Sequence, residues 1–198
     1  ENFWGETVKK INFSTNKVFC ETDKEVHTAK WIVGSDGMNS KIRELSKISY
    51  RSWSYNQTAV VANFKTSINE SCIKQTFTSI GPLALLPIND RESTMIWSID
   101  DDVSYKFLSM SDEEFTNEVV NKFGDQIEKV EMISKRQHFP LHHLSAKTFA
   151  KKSVFLVGDS AHHIHPLAGL GLNSGIGDVV CLSELIESNG LGNLEELI

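Results

Sequence analysis

Residues 154–178 read VFLVGDSAHHIHPLAGLGLNSGIGD. The apolar run Val154–Val157 predicts a buried strand of a mostly parallel sheet, because such strands are covered on both faces and carry continuous apolar runs. It ends at Gly158-Asp159. The chain then turns at Pro166, passes Gly169 and Gly171, and enters a helix carrying Gly175 and Gly177. Each interior helix glycine costs roughly 1 kcal/mol relative to alanine. A helix that accepts several is expected to bring its backbone close to something flat or bulky. An acid at a strand end, a glycine-rich turn and a helix N-terminus in succession point to a nucleotide-cofactor site.

A second informative stretch lies upstream, VGSDGMNSKIR at residues 33–43. The run Trp31–Gly34 predicts another buried strand leading into it, and Ser40 suits the cap of a short helix through Leu45. Together the two stretches carry a resemblance. Residues 158–173 resemble the second FAD motif of the aromatic-ring flavoprotein monooxygenases, G-D-A-A-H…P…G-x-G-x-N. Residues 36–43 resemble the same family's D-G-x-x-S-x-x-R motif through Asp36, Gly37, Ser40 and Arg43. Two motifs in the right order are far more specific than either alone. The detail I-H-P-L-A-G-x-G-L-N, with Gln57–Ala62 and Gly81–Pro87, is most similar to the ubiquinone-biosynthesis hydroxylases. The resemblance covers most of residues 31–189.

That resemblance implies a set of cofactor contacts. Gly158 and Asp159 would meet the ribityl chain of FAD, although a strand-end acid can also simply cap a turn. Gly169, Gly171, Leu172 and Asn173 would turn backbone N–H groups and the positive end of a helix toward the flavin. Pro166 would line its reactive face, or serve only as a turn proline. Asp36, Gly37, Ser40 and Arg43 would lie near the FAD pyrophosphate and the reduced nicotinamide nucleotide. The planar guanidinium of Arg43 suits phosphate or carboxylate; an internal Asp36–Arg43 ion pair is the alternative. The family pattern itself has histidines at positions 162 and 165, so the cluster His162, His163 and His165 is not read as a metal site. The cofactor carries the chemistry in such a family, so no catalytic acid or base is named. Two departures stand out: Leu170 replaces a glutamine, and Thr76 replaces an arginine.

Between the motifs the pattern is β-rich. Strands are predicted at Thr58–Phe64, Lys74–Thr78, Leu83–Ile88 and Thr94–Ile99, with a turn at 89–92. Residues 131–139 predict a further strand that Pro140 interrupts. Ser111–Glu114 is a capping box, and Phe115, Val119, Val120 and Phe123 then recur at helical spacing up to Gly124. Residues 5–30 alternate apolar and polar positions and predict short strands around Ser14-Thr15-Asn16. Leu172, Ile176, Val179, Val180, Leu185 and Ile186 line the terminal helix, and a new helix is expected to start at Asn193–Glu196. The expected fold is mixed α/β: a flavin-binding lobe from residues 1–50 and 141–198, with an antiparallel β-sheet substrate lobe inserted at 51–140. The family's strand–G-x-G-x-x-G–helix unit is missing from the sequence, so the chain reads as an internal part of a longer protein.

Composition narrows the partners. Hydrophobic residues make up 40% and charged residues 23%, enough for a packed core, and the net charge of −6 argues against nucleic acid as a main partner. Cys20, Cys72 and Cys181 are three and far apart, which fits neither a disulfide framework nor a zinc site but a reducing compartment. No apolar run reaches membrane-spanning length. The expected place is the cytoplasm, at most peripheral to the inner membrane. The resemblance implies an oxidoreductase that uses FAD, NAD(P)H and dioxygen to hydroxylate an electron-rich aromatic ring. The ring implied is a polyprenylated phenol on the route to ubiquinone, with a ubiquinone-biosynthesis complex as protein partner. Two other readings stay open: a flavin monooxygenase of a small soluble aromatic, and a non-catalytic flavin-fold scaffold.

Overall fold

The buried run at 154–157 forms a strand because Val154, Phe155, Leu156 and Val157 are all withdrawn from solvent. A computed structural model gives the structure of the chain, and it describes residues 2–66, 72–124, 127 and 130–189. The chain divides into two compact units, Glu1–Trp53 with His142–Ile198, and Ser54–Leu141.

In the first unit, β1 (Val8–Ser14), β2 (Lys17–Thr22) and β3 (Val26–Ala29) form an antiparallel sheet in that order. The second sheet pairs β4 (Ile32–Gly34) in parallel with β12 (Val154–Leu156), and β11 (Ala150–Lys151) pairs antiparallel on the other side of β12. Helix α1 (Lys41–Leu45) follows β4, and helix α4 (Leu170–Asn189) closes the described chain. Ile11, Val18, Ile42, Ile48, Ala146, Val154, Leu156 and Ala161 form the core of this unit. Gly34 has to be glycine here: a Cβ would lie 2.9 Å from Ile42 Cγ2 and 3.0 Å from Leu156 Cδ2.

In the second unit the sheet runs β10 (Gln137–Ala146), β5 (Tyr50–Thr66), β8 (Glu92–Asp100), β7 (Gly81–Asn89), β6 (Lys74–Thr78), with β9 (Val130–Met132) also on β5. The short β13 (His162–His163) pairs with the first-unit end of β10 at Leu144 and Ser145. Strands β5 and β10 carry the chain from one unit to the other. Helices α2 (Asp101–Ser109) and α3 (Asp112–Phe123) supply Phe107, Phe115, Val119 and Phe123 to a core with Val60, Phe64, Leu83, Leu85, Met95, Trp97 and Ile99. Each such side chain contributes about 1.5–3 kcal/mol by leaving water. Register sorts the sheet's two faces. Val60, Leu83 and Trp97 align on the buried face, whereas Val61, Ala84 and Ile96 align on the other and stay half-buried, as do Asn63, Leu86 and Thr94 beside them.

The structure is mixed α/β, with β4 and β12 paired in parallel. Three local expectations are corrected. The sequence reading missed α2, where Val103, Phe107 and Leu108 recur at helical spacing and pack on the core. Residues 131–139 are not one strand: β9 ends at Met132 and β10 starts at Gln137. Pro140 does not interrupt β10, where it is exposed; a proline fits a strand where no ladder N–H is required. The helix expected at Asn193–Glu196 lies outside the described residues. Among the described residues, no helix is long and apolar enough to cross a membrane.

Candidate functional site

Both motifs fall in the first unit, at the ends of β4 and β12. After β4 the chain turns through Gly37, at φ +80. Asp36 Oδ2 accepts from the backbone N–H groups of Lys41 at 2.7 Å and Ile42 at 3.0 Å. Ser40 Oγ accepts from Arg43 N at 2.9 Å. So Asp36 and Ser40 satisfy the orphan donors at the start of α1. Arg43 is 5% exposed, and its guanidinium lies 4.6 Å from the centre of the Tyr50 ring. It donates from Nη2 to Met38 O at 2.7 Å and from Nη1 to Ser160 O at 2.8 Å. The internal Asp36–Arg43 ion pair does not form, because both side chains are committed to backbone groups instead.

After β12, residues Gly158–Ser160 make a single 3-10 turn, with Gly158 at φ +61. Ser160 is fully buried, and its hydroxyl lies 2.6 Å from Gly34 O and 2.8 Å from Val157 O. The turn therefore holds the end of β4 as well as the end of β12. Asp159 Oδ2 meets His163 Nδ1 at 2.9 Å, and the Asp159 side chain is 46% exposed. Among the described residues, its Oδ1 has no hydrogen-bond partner.

The chain next passes Pro166, which opens a second 3-10 turn at Leu167–Gly169, and enters α4. Helix geometry leaves the N–H groups of Leu170, Gly171, Leu172 and Asn173 without acceptors inside the helix. No acidic residue stands in that first turn to neutralise them. The glycines of α4 do two different things. Gly175 faces its own chain: a Cβ there would lie 3.2 Å from Gly158 Cα. Around Gly171 and Gly177, and around Gly169 in the turn before the helix, nothing among the described residues lies within 4 Å of such a Cβ. Gly175 does allow a close approach, but to another glycine of the chain rather than to anything flat or bulky.

The histidine cluster splits between partners. His162 Nε2 contacts Asp178 Oδ2 at 2.7 Å, and His163 takes Asp159. Burial lowers the pKa of His165 below the usual imidazole value. Among the described residues, the His/carboxylate group whose ligand atoms all lie within 4.8 Å of one another is elsewhere, at Glu6, Glu25 and His27. The sequence reading missed Asp178. Its signal was present in G-I-G-D, an acid eight residues into α4, but no spacing rule ties it to residue 158.

Residues 13–189 match the family described as FAD binding domain. The chain belongs to that family. Within the FAD binding domain family it is 33% identical over 173 residues to the ubiquinone hydroxylase UbiL of Rhodospirillum rubrum, covering 86% of this chain and 40% of that protein. It is 30% identical over 215 residues to the mitochondrial ubiquinone biosynthesis monooxygenase COQ6 of Homo sapiens, covering 88% of this chain and 46% of that protein. The chain thus spans less than half the length of these curated relatives. Among solved structures, the p-nitrophenol 4-monooxygenase PnpA of Pseudomonas putida DLL-E4 superposes with a TM-score of 0.72 at 19% identity, over 96% of this chain and 51% of that one. Aklavinone-11 hydroxylase, in its complex with FAD and aklavinone, superposes with a TM-score of 0.68 at 16% identity, over 96% of this chain and 39% of that one.

The residues present fit a flavin nucleotide. The first turn of α4 offers free N–H groups with no competing acid, the backbone at Gly169 and Gly171 is uncovered, and Asp159 keeps one carboxylate oxygen for a hydroxyl.

Proposed function

We propose that the protein containing this chain is an FAD-dependent monooxygenase. It hydroxylates an electron-rich aromatic ring, with a polyprenylated phenol of ubiquinone biosynthesis as the substrate, and uses NAD(P)H and dioxygen. The observation that carries this reading is the packing of Gly158, the residue before Asp159, on Gly175 within α4, which ties the Asp159 turn to the glycine-bearing helix. The similarity to UbiL and COQ6 supports the choice of substrate.

The residues then take definite tasks. Asp159 Oδ1 accepts from a ribityl hydroxyl. The N–H groups from Leu170 to Asn173 would be turned toward the flavin, where the helix's positive end favours negative charge. FAD, when bound, supplies electron transfer from NAD(P)H and the activation of dioxygen. Pro166 borders the ring without bringing a donor of its own. Asp36, Gly37, Ser40 and Arg43 shape the loop on which the pyrophosphate and the nicotinamide nucleotide would rest. In the second unit, the half-buried face bearing Val61, Ala84, Leu86 and Ile96 receives the apolar substrate, with the Thr94–Asn63 hydrogen bond at 2.9 Å as its polar feature. Burial of a prenyl tail adds about 25 cal/mol per Å². This apolar face favours a lipid-like phenol over a small charged ring. It also fits a protein that works at most peripherally to a membrane, beside other ubiquinone-biosynthesis proteins.

The test uses the full-length protein and a deletion strain. The expected result is bound FAD, NAD(P)H oxidation driven by a prenylated phenol, and accumulation in the deletion strain of a prenylated phenol lacking one ring oxygen. Normal quinone levels with fast turnover of a soluble hydroxybenzoate would reassign the substrate. FAD binding without NAD(P)H oxidation would instead indicate a scaffold.

A further inference from the structure

We propose that Asp178, working with His162, is the positioning residue that aims Asp159 at the cofactor. The inference rests on the flavin reading above and assigns a task to two side chains that reading leaves idle. Asp178 Oδ2 accepts from Gly158 N at 2.7 Å and from His162 Nε2 at 2.7 Å. Both side chains of the pair are largely buried, at 15% exposed for His162 and 18% for Asp178. An ionised carboxylate that receives two donors at one oxygen, away from water, makes a stronger contact than a neutral pair would.

The geometry explains why Asp159 needs this. Gly158 sits at φ +61, where packing on the Cα of Gly175 restrains it little, and the peptide between Val157 and Gly158 is held by hydrogen bonds: its carbonyl accepts from Ser160 Oγ at 2.8 Å. Asp178 fixes that peptide by its N–H. At the other end of the turn, Arg43 holds Ser160 O. Asp159 is left between two fixed points as the turn's outward-facing side chain. The adjacent histidines of β13 repeat the arrangement: His162 is held by Asp178, and His163 in turn holds Asp159 Oδ2. The second contact leaves Oδ1 of Asp159 for a ligand hydroxyl, and the first fixes the two-residue strand from which the second is made.

The test is a double-mutant cycle in the full-length protein, with FAD affinity read by flavin fluorescence and amide exchange at Gly158 read in FAD-free protein. Asp178→Ala should weaken FAD binding roughly tenfold or more, the scale of a lost charge-assisted hydrogen bond, and should speed exchange at Gly158. Asp178→Asn keeps an oxygen for the Gly158 N–H and should restore most of the affinity. In an Asp159→Ala background, Asp178→Ala should cost little further affinity, because its effect passes through Asp159. Additive losses, or unchanged affinity in a folded Asp178→Ala protein, would overturn the proposal. If Asp178→Ala does not fold, His162→Ala takes its place in the cycle: it should weaken FAD binding and be non-additive with Asp159→Ala, while exchange at Gly158, still held by Asp178, should change little. Wild-type protein that fails to bind FAD would overturn the flavin reading and this inference together, whereas wild-type binding with additive losses would overturn this inference alone.

Discussion

Arg43 Nη1 donates to the carbonyl oxygen of Ser160 at 2.8 Å, across 117 residues of sequence. The two motifs that look like separate cofactor contacts in the sequence are thereby joined to each other. Arg43 also tethers its own loop through Met38 O, so one planar fork holds both. Burying that guanidinium is tolerable because carbonyl oxygens and the Tyr50 ring surround it.

Arg43→Lys should therefore destabilise FAD-free full-length protein by about 2 kcal/mol, since an ammonium cannot span both carbonyls and one is left unpaired. Urea denaturation with and without FAD measures this. Unchanged stability combined with weakened FAD or NAD(P)H binding would show that the guanidinium works on the cofactors instead.

Asp159→Ala should do the reverse. The side chain is half exposed and its described partner is His163 alone, so folding should hardly change. FAD affinity should fall by about 1–3 kcal/mol, the scale of a lost hydrogen bond to a charged group. Titration of the apoprotein by fluorescence quenching checks it, and full retention of FAD would reduce Asp159 to a partner of His163.

Gly81→Ala is the substitution expected to damage the second unit most. Gly81 has φ +131, and a Cβ would lie 1.9 Å from Ser98 O, in the strand that pairs with β7. Both strain and clash act, so the loss should reach about 3 kcal/mol or more. Gly124→Ala is the control: it ends α3 at φ +57 with nothing among the described residues within 4 Å, so the conformational strain is what acts. Denaturant midpoints that rank the two the other way would contradict the packing.

Acid should weaken the first unit through His165. Its pKa is lowered in the folded state by burial, while the unfolded chain keeps a value near 6.5. Below that value the unfolded state binds the proton more readily. The stability associated with neutral His165 is therefore present above about pH 6.5 and is lost as pH falls through the folded-state pKa. Melting temperature followed from pH 7.5 downward should fall less steeply in His165→Gln than in wild type. Parallel curves would show that other groups set the acid limb.

Much of this was legible in sequence because it is local. The capping box at Ser111 and Glu114 forms as read, and Gly124 ends the helix after it. The strands at Val154 and Ile32 form because continuous apolar runs have few alternatives, and β6 to β8 follow their pattern closely. What stayed hidden depends on partners distant in sequence. The use of Asp36 as a cap, the reach of Arg43 to Ser160 and the grip of Asp178 on Gly158 all involve polar groups, whose residue types announce bonding capacity but not direction. Helix α2 was missed for a different reason: its apolar stripe, Val103, Phe107 and Leu108, is short, and the helix follows β8 with no intervening loop to mark its start.

The insertion of the second unit between β4 and β12 imposes an order of assembly. Ser160 reaches Gly34 across 126 residues, and closing a free loop of that size costs on the order of 4 kcal/mol before any contact repays it. Strands β5 and β10 are neighbours in the sheet, so once that sheet has formed, the chain leaving it at residue 142 re-emerges beside the chain that entered at residue 53. The long loop then becomes a short one. During synthesis the inserted sheet can complete as soon as residue 141 is available, while β4 waits for a partner not yet made. A mutation that slows the inserted sheet would therefore delay the flavin-side strands as well, and the exposed edge of β4 would be the part of the nascent chain most open to mispairing.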